Sequence, residues 1–241
     1  MCNRCDHGSS HSFAPSRRGL LLGASAVLVG GFARAKETKK PPKPQNVLSP
    51  KAALEELEEG NERYVEGVAR RHDFRHEREA LASGQNPYAA ILSCADSRIA
   101  PEYAFDSGRG DLFVCRVAGN FASDESVASL EYAVSALSTP LILVLGHEAC
   151  GAVDATIKSL KDDTTLPGHL PSLVAGIAPA VKAVSGQGGD VLANAIKQNV
   201  LDTVAKLKST APILSAAVEQ GKLKVAGGIY RLHTGKVDMV A

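Results

Sequence analysis

The sequence predicts an α/β fold: a single domain with a mostly parallel central β-sheet flanked by helices, an amino-terminal helical arm and a carboxy-terminal hairpin. Short aliphatic runs at 88–93, 111–117, 140–146 and 222–230 read as strands, and stretches of helical period alternate with them. Such alternation implies parallel strands joined by right-handed crossovers. Composition agrees: 44% hydrophobic and 22% charged residues are values of a globular chain with a sizeable core. A net charge of +1 gives no electrostatic case for nucleic acid or an anionic membrane. With no Trp and only 5% aromatics, a stacking platform for sugars or bases is not expected either.

The first 35 residues read as a targeting segment. Arg17 and Arg18 are followed by an apolar stretch at 20–32, too short for the roughly 20 residues that span a bilayer, and then by Ala33-Arg34-Ala35, an A-x-A cleavage signature. The paired arginines point to a twin-arginine export route and a periplasmic protein, with a general secretory signal as the alternative. The mature chain is expected to begin near Lys36 and to have no membrane segment. Cys2, Cys5, His7 and His11 look like part of a metal site but lie in the segment destined for removal. Three cysteines then remain, Cys94, Cys115 and Cys150, an odd and small number that argues against a disulfide framework. Residues 36–48, rich in Pro and Lys, form an extended tether, and 49–241 form the functional domain.

Ser49-Pro50 opens the arm, a capping hydroxyl followed by Pro at the first helical position. Leu54, Leu57, Tyr64, Val65 and Val68 share one face, with Glu55, Glu56, Glu58 and Glu59 opposite, so the arm has an apolar side for its own domain or a partner subunit. His72 and His76, interleaved with Arg71, Arg75 and Arg78, read as a solvated face. Gln85-Asn86-Pro87 turns the chain into the first strand, which ends at Cys94. The turn at 108–110 leads to the second strand, where Cys115 shares a face with Phe113 and reads as a buried thiol. A capped helix follows at 124–137. The run at 140–146 is aliphatic throughout, as in a strand covered on both faces. Helical stretches at about 150–161, 170–184, 191–208 and 213–220 lead to the last long strand, and the turn at 233–236 folds back into 237–240.

The chemistry lies in two short segments. Cys94-Ala95-Asp96-Ser97-Arg98 closes one buried run, and His147-Glu148-Ala149-Cys150-Gly151 closes another. Residues at the carboxyl ends of neighbouring parallel strands converge where open α/β sheets bind ligands. Two thiols, an imidazole and a carboxylate form a complete tetrahedral set for Zn²⁺. With Cys94, His147 and Cys150 alone, a fourth position remains for water. Asp96, held off the metal by a charge-assisted pair with Arg98, can then accept a hydrogen bond from the nucleophile; swung onto the metal, it closes the site. Free N–H groups at the start of the helix after Cys150 suit a partly anionic ligand.

These segments resemble the β-class carbonic anhydrases over nearly all of the mature chain. The matching residues include Cys94 to Arg98, Gly110-Asp-Leu-Phe-Val, Arg116 with Gly119-Asn120, Glu131 to Val134, and Gly146 to Gly151. The resemblance implies zinc on Cys94, His147 and Cys150, a catalytic dyad of Asp96 and Arg98, and reversible hydration of CO₂ to bicarbonate and a proton through zinc-bound hydroxide. It implies a substrate pocket with Gln85 on the bound anion, Phe113, Ala118 and Tyr132 as an apolar wall, and Gly151 N–H as an orienting donor. It also implies a homodimer or homotetramer with sites near the subunit interface. Ile91 stands where switchable members carry a Trp in a second, inhibitory bicarbonate site, so that site is expected to be missing or weak. Two other readings remain open at this level: hydrolysis of carbon disulfide or carbonyl sulfide on the same fold, and a non-catalytic zinc protein with Asp96 on the metal.

Overall fold

The computed structural model describes residues 48–241. The leader, its cleavage point and all but the last residue of the tether lie outside the described residues. Five strands lie in the order β2-β1-β3-β4-β5. They are β1 (Ala89–Ser93), β2 (Leu112–Arg116), β3 (Leu141–His147), β4 (Lys224–Tyr230) and β5 (Val237–Met239). The first four run parallel, and β5 returns antiparallel to β4 through the predicted hairpin. From β1 the chain crosses to β2 on one side; from β3 it crosses to β4 on the other. The carboxyl ends of β1 and β3 therefore flank the point where the winding reverses, the crevice of open α/β sheets.

Period-two alternation divides these strands between two cores. Ala90, Leu92, Ile142, Val144, Val225 and Ile229 face one side. There they meet α4 (Asp124–Ser135), α5 (Gly151–Lys161), α6 (Leu170–Ala183), α7 (Val191–Ser209) and α8 (Ile213–Glu219). Ala89, Ile91, Leu141, Leu143, Leu145 and Ala226 face the other, against α1 (Pro50–Glu66) and the single turn α3 (Pro101–Ala104). All seven residues of β3 are buried, which is why that strand is aliphatic throughout. Cys115 shares the helix-rich side with Phe113 as expected, but is half-buried, because β2 is an edge strand. Among the described residues no helix is long and apolar enough to cross a membrane.

Helix α7 crosses the sheet closely because two glycines admit it. A Cβ on Gly146 would stand 2.6 Å from Val200 Cγ2, and one on Gly227 would stand 2.7 Å from Val200 Cγ1. Only a strand bare of side chains lets a helix approach so near. This packing sets α7 beside the end of β3, where the site lies.

The arm departs from its expected face. Ser49 caps α1 and Pro50 occupies its first turn as predicted, but the buried residues are Ala53, Leu57, Gly60 and Asn61. Tyr64 and Val65 are exposed, and Val68 lies beyond the helix end at Gly67. Leu57 is buried and Leu54 packs against the same core, as expected, and small and polar residues make the rest of the contact. A Cβ on Gly60 would lie within bonding reach of the Phe105 carbonyl oxygen, at 2.0 Å, so only Gly fits. Asn61 donates to the carbonyls of Ala104 and Gly235 at 2.9 Å each and accepts from Val237 N–H at 2.8 Å, tying α1 to α3 and the hairpin. The histidine segment is partly helical, as α2 (Phe74–Leu81), with His76 paired to its cap Asp73 and His72 beside Glu77.

Candidate active site

Cys94 follows the last residue of β1, His147 ends β3 and Cys150 is the N-cap of α5. Their ligand atoms all lie within 4.8 Å of one another, and all three residues are buried. The two sulfurs are 4.0 Å apart. Two thiolates on one tetrahedral zinc, at about 2.3 Å each, stand roughly 3.8 Å apart, so the spacing fits. His147 Nδ1 donates to the Glu148 carbonyl at 2.8 Å, which fixes the tautomer and leaves the lone pair on Nε2. That Nε2 is buried with no hydrogen-bond partner among the described residues. A buried acceptor left so costs about 1–3 kcal/mol, and a cation between it and two thiols removes that cost. The chemistry of the set, two soft sulfurs and one imidazole, suits Zn²⁺.

The environment favours a thiolate at Cys94. The contact with Cys150, then His147 and the N–H groups of Gly119 and Asp96, together outweigh burial and hold its pKa below the ordinary range. Gly119 N–H donates to Cys94 Sγ at 3.3 Å. Cys150, left with the shared proton, is pushed upward by Cys94 and by burial. Burial opposes protonation of His147, but the Cys94 sulfur outweighs it and the pKa rises. Between the two ligands of the second turn, Ala149 adopts φ 50°, a left-handed value uncommon for a residue with a Cβ and a mark of strain kept at a functional turn.

Asp96 and Arg98 form a bidentate pair. Arg98 Nε donates to Asp96 Oδ1 at 2.9 Å and Nη2 to Oδ2 at 2.7 Å, while Arg98 N–H donates to Oδ1 at 3.0 Å. These bonds hold the Asp96 carboxyl well below the usual carboxylate range. Its Oδ2 lies 3.8 Å from His147 Nε2, beside the ligand cluster and turned onto the guanidinium. Arg98 Nη2 also reaches the Ala149 carbonyl at 3.3 Å, so one side chain touches both ligand-bearing turns.

Arg116 was not singled out for a role by the sequence. From the end of β2 it donates to the carbonyls of Cys94 at 2.9 Å, Asp96 at 2.7 Å and Ile99 at 2.9 Å, wrapping the turn after β1. The available signal was an arginine closing an otherwise apolar strand.

The expected pocket residues divide into two groups. Ala118 precedes Gly119 in the turn after β2, and Gly151 opens α5 with an exposed backbone, so both stand at the carboxyl end of the sheet with the ligands. Phe113 and Tyr132 pack together, with ring centroids 6.3 Å apart, but lower down: Phe113 is level with Ala90, about 13 Å along the strand from the level of Cys94. Gln85 is exposed in the turn leading into β1, at the amino end of the strand whose other end carries Cys94. Within one chain these three residues do not meet the ligand cluster. Ile91 is fully buried under the sheet.

A sequence model of the carbonic anhydrase family matches residues 89–237. The chain is similar to carbonic anhydrase 2 of Mycobacterium tuberculosis, 39% identical over 189 residues, which are 78% of this chain and 91% of the relative. It is 35% identical over 192 residues to the carbonic anhydrase of Mycolicibacterium smegmatis, covering 79% of this chain and 93% of that one. Among solved structures, the β-carbonic anhydrase CcaA matches with a TM-score of 0.59 at 30% identity, over 78% of this chain and 98% of that chain. The chain belongs to the β-class carbonic anhydrase family.

Proposed function

We propose that this protein is a zinc carbonate dehydratase, interconverting CO₂ with bicarbonate and a proton. The observation that carries the reading is the Asp96–Arg98 clamp beside the buried Cys94, His147 and Cys150 triad. When bound by that triad, zinc supplies Lewis acidity that makes a hydroxide nucleophile available near neutral pH. Asp96, kept ionised by Arg98, accepts the nucleophile's hydrogen at Oδ2 and so turns its lone pair toward the substrate. Arg98 keeps the same carboxylate from completing the ligand set. Gly151 N–H lies in the first turn of α5, where it has no intrahelical acceptor, and it donates to the oxygen that gains charge as bicarbonate forms. Stopped-flow CO₂ hydration by the zinc-loaded protein tests the reading. Turnover with CO₂ supports it; turnover only with carbon disulfide or carbonyl sulfide, or none with zinc bound, refutes it.

The divided pocket supports a second statement, that the working unit is a homo-oligomer, a dimer or a tetramer. Gln85, Phe113 and Tyr132 lie too far from their own triad to line it, and Tyr132 is 50% exposed. A second copy brings these three residues to the triad of the first and completes the apolar wall against water. Analytical ultracentrifugation showing a fully active monomer would refute this.

For residues 1–35 we propose cleavage after Ala35 and a periplasmic mature protein delivered by the twin-arginine route, which carries folded, metal-loaded chains. Replacing Arg17 and Arg18 by Lys should stop export; normal export of that variant would leave the general secretory route.

A further inference from the structure

The hydrogen bond on the Cys94 sulfur depends on a conformation that a distant residue holds. Gly119, whose N–H is the donor, has φ 82°, and Asn120 after it has φ 41°. Two helices pin this turn. Ile177 of α6 occupies the space where a Cβ on Gly119 would lie, 2.4 Å from its Cδ1. Asn199 of α7 donates Nδ2–H to the Gly119 carbonyl at 2.7 Å. Asn199 is only 3% exposed, on a helix face otherwise made of Ala195, Ile196, Val200, Thr203, Val204 and Leu207. A buried amide in such company is costly unless it is bonded, and its bond goes to the residue that serves the sulfur.

We infer that Asn199 is a positioning residue of the metal site: by fixing the Gly119 carbonyl, it keeps Gly119 N–H on Cys94 Sγ. The inference rests on the reading of Cys94 as a zinc ligand and extends it to a residue 105 positions away. Two thiolates cancel the charge of a bound Zn²⁺, which makes acidifying water harder than with neutral ligands. An N–H on one sulfur draws electron density off it and returns Lewis acidity to the metal. Outer-shell partners of this kind typically change metal affinity or activity by 10–100-fold.

The test uses the full chain stripped of metal and reloaded with Co²⁺, whose thiolate charge-transfer absorption reports on the sulfurs, together with zinc affinity by chelator competition. Asn199→Ala removes the donor, and Asn199→Leu removes it while keeping the space filled, so that a folded variant is in hand. Val204→Ala, about a turn and a half along the buried side of the same helix, perturbs packing at a residue that is not bonded to Gly119. Both Asn199 variants should move the absorption to lower energy, because a sulfur without its hydrogen bond gives up electrons more readily. They should also weaken zinc binding by about 10–100-fold, because loss of the positioned turn at Gly119 frees the Cys94 sulfur from its ligand geometry and outweighs its stronger donation, while Val204→Ala changes neither. A folded Asn199→Leu with wild-type absorption and affinity overturns the inference and leaves the zinc reading standing. Equal shifts in Val204→Ala also overturn it, since Asn199 would then act through general stability. Absence of thiolate absorption in the wild type overturns the zinc reading itself, and this inference with it.

Discussion

The turns after β1 and β3 each deliver candidate metal ligands, and they are held in different proportions by backbone and by charge. In the β3 turn, His147 and Cys150 are buried and the backbone does most of the holding, with Arg231 on the Glu148 carboxylate at the rim. Glu148 N–H donates to the Tyr230 carbonyl at 3.1 Å, His147 Nδ1 donates to the Glu148 carbonyl, and Cys150 starts α5. In the β1 turn, Ala95, Ser97 and Arg98 are exposed, and arginine side chains do most of the holding: Arg116, from the end of β2, on three carbonyls, and the turn's own Arg98 on Asp96. A backbone-built turn has one geometry and serves as a rigid template for two ligands. A turn held by charged side chains can place its carboxylate on a guanidinium or on a cation. The carboxylate of the proposed reaction therefore sits where the structure is held by charge.

Metal loading should test the template first. Cys150→Ser replaces a soft thiolate by a neutral hydroxyl, so zinc affinity should fall by more than the 10–100-fold that losing an outer-shell partner costs. Full zinc in that variant, by elemental analysis, would remove Cys150 from the ligand set and break the comparison.

Arg116→Ala should produce the next largest effect. Three carbonyls lose a charged donor that contributes about 1.5–3 kcal/mol per bond when buried, and less here because Arg116 is exposed. The expected loss is about 2 kcal/mol of stability, read from urea midpoints, with activity falling further than stability because Asp96 loses its platform. An Arg116→Lys variant restores one donor and should recover only part of the activity, since an ammonium cannot reproduce the planar fork.

Chelating the metal should separate the two turns without mutation. Amide exchange should quicken at Ile99, whose N–H bonds to the Asp96 carbonyl, more than at Glu148, whose N–H is tied into β4. Equal quickening at both would show that the turns are one unit.

Ala149→Gly is the smallest change. The strain of a left-handed alanine is of order 1 kcal/mol, partly offset by the greater freedom of Gly in the unfolded chain. Thermal melting should show a gain within about 1 kcal/mol, with zinc content unchanged. A clear destabilisation would mean that the Ala149 methyl group makes a contact worth more than the strain.

The same contrast separates the features that were legible in the chain from those that were not. The four long strands were legible because β1 and β3 are buried on both faces, and a short unbroken aliphatic run between turn residues is what such a strand requires. The candidate ligand set was legible in two local halves, since His147-x-x-Cys150 lies in one turn and Cys94 and Asp96-x-Arg98 in another. The 56 residues between Cys94 and Cys150 were bridged because both halves close buried strands and resemble one family. Arg116 and Asn199 escaped because their partners are 17–22 and 80 residues away, and a residue's target does not show in its own neighbourhood. The arm's contact face escaped for a different reason. Hydrophobic period found Leu54 and Leu57, which do pack on the core, but also selected Tyr64, Val65 and Val68, whereas backbone approach at Gly60 and the hydrogen bonds of Asn61 make the rest of the contact. The turn α3 is four residues long, below the reach of any period.

Whether charge at the β1 turn decides between an open, working site and a closed one is measured most directly on Arg98→Ala, by stopped-flow CO₂ hydration with zinc quantified on the same sample. Without the guanidinium, Asp96 is free to take the fourth position and exclude water. Hydration should fall about 10²–10³-fold, the loss typical of one well-placed electrostatic partner, while zinc stays near one per chain. Wild-type hydration in Arg98→Ala with zinc retained would contradict the account.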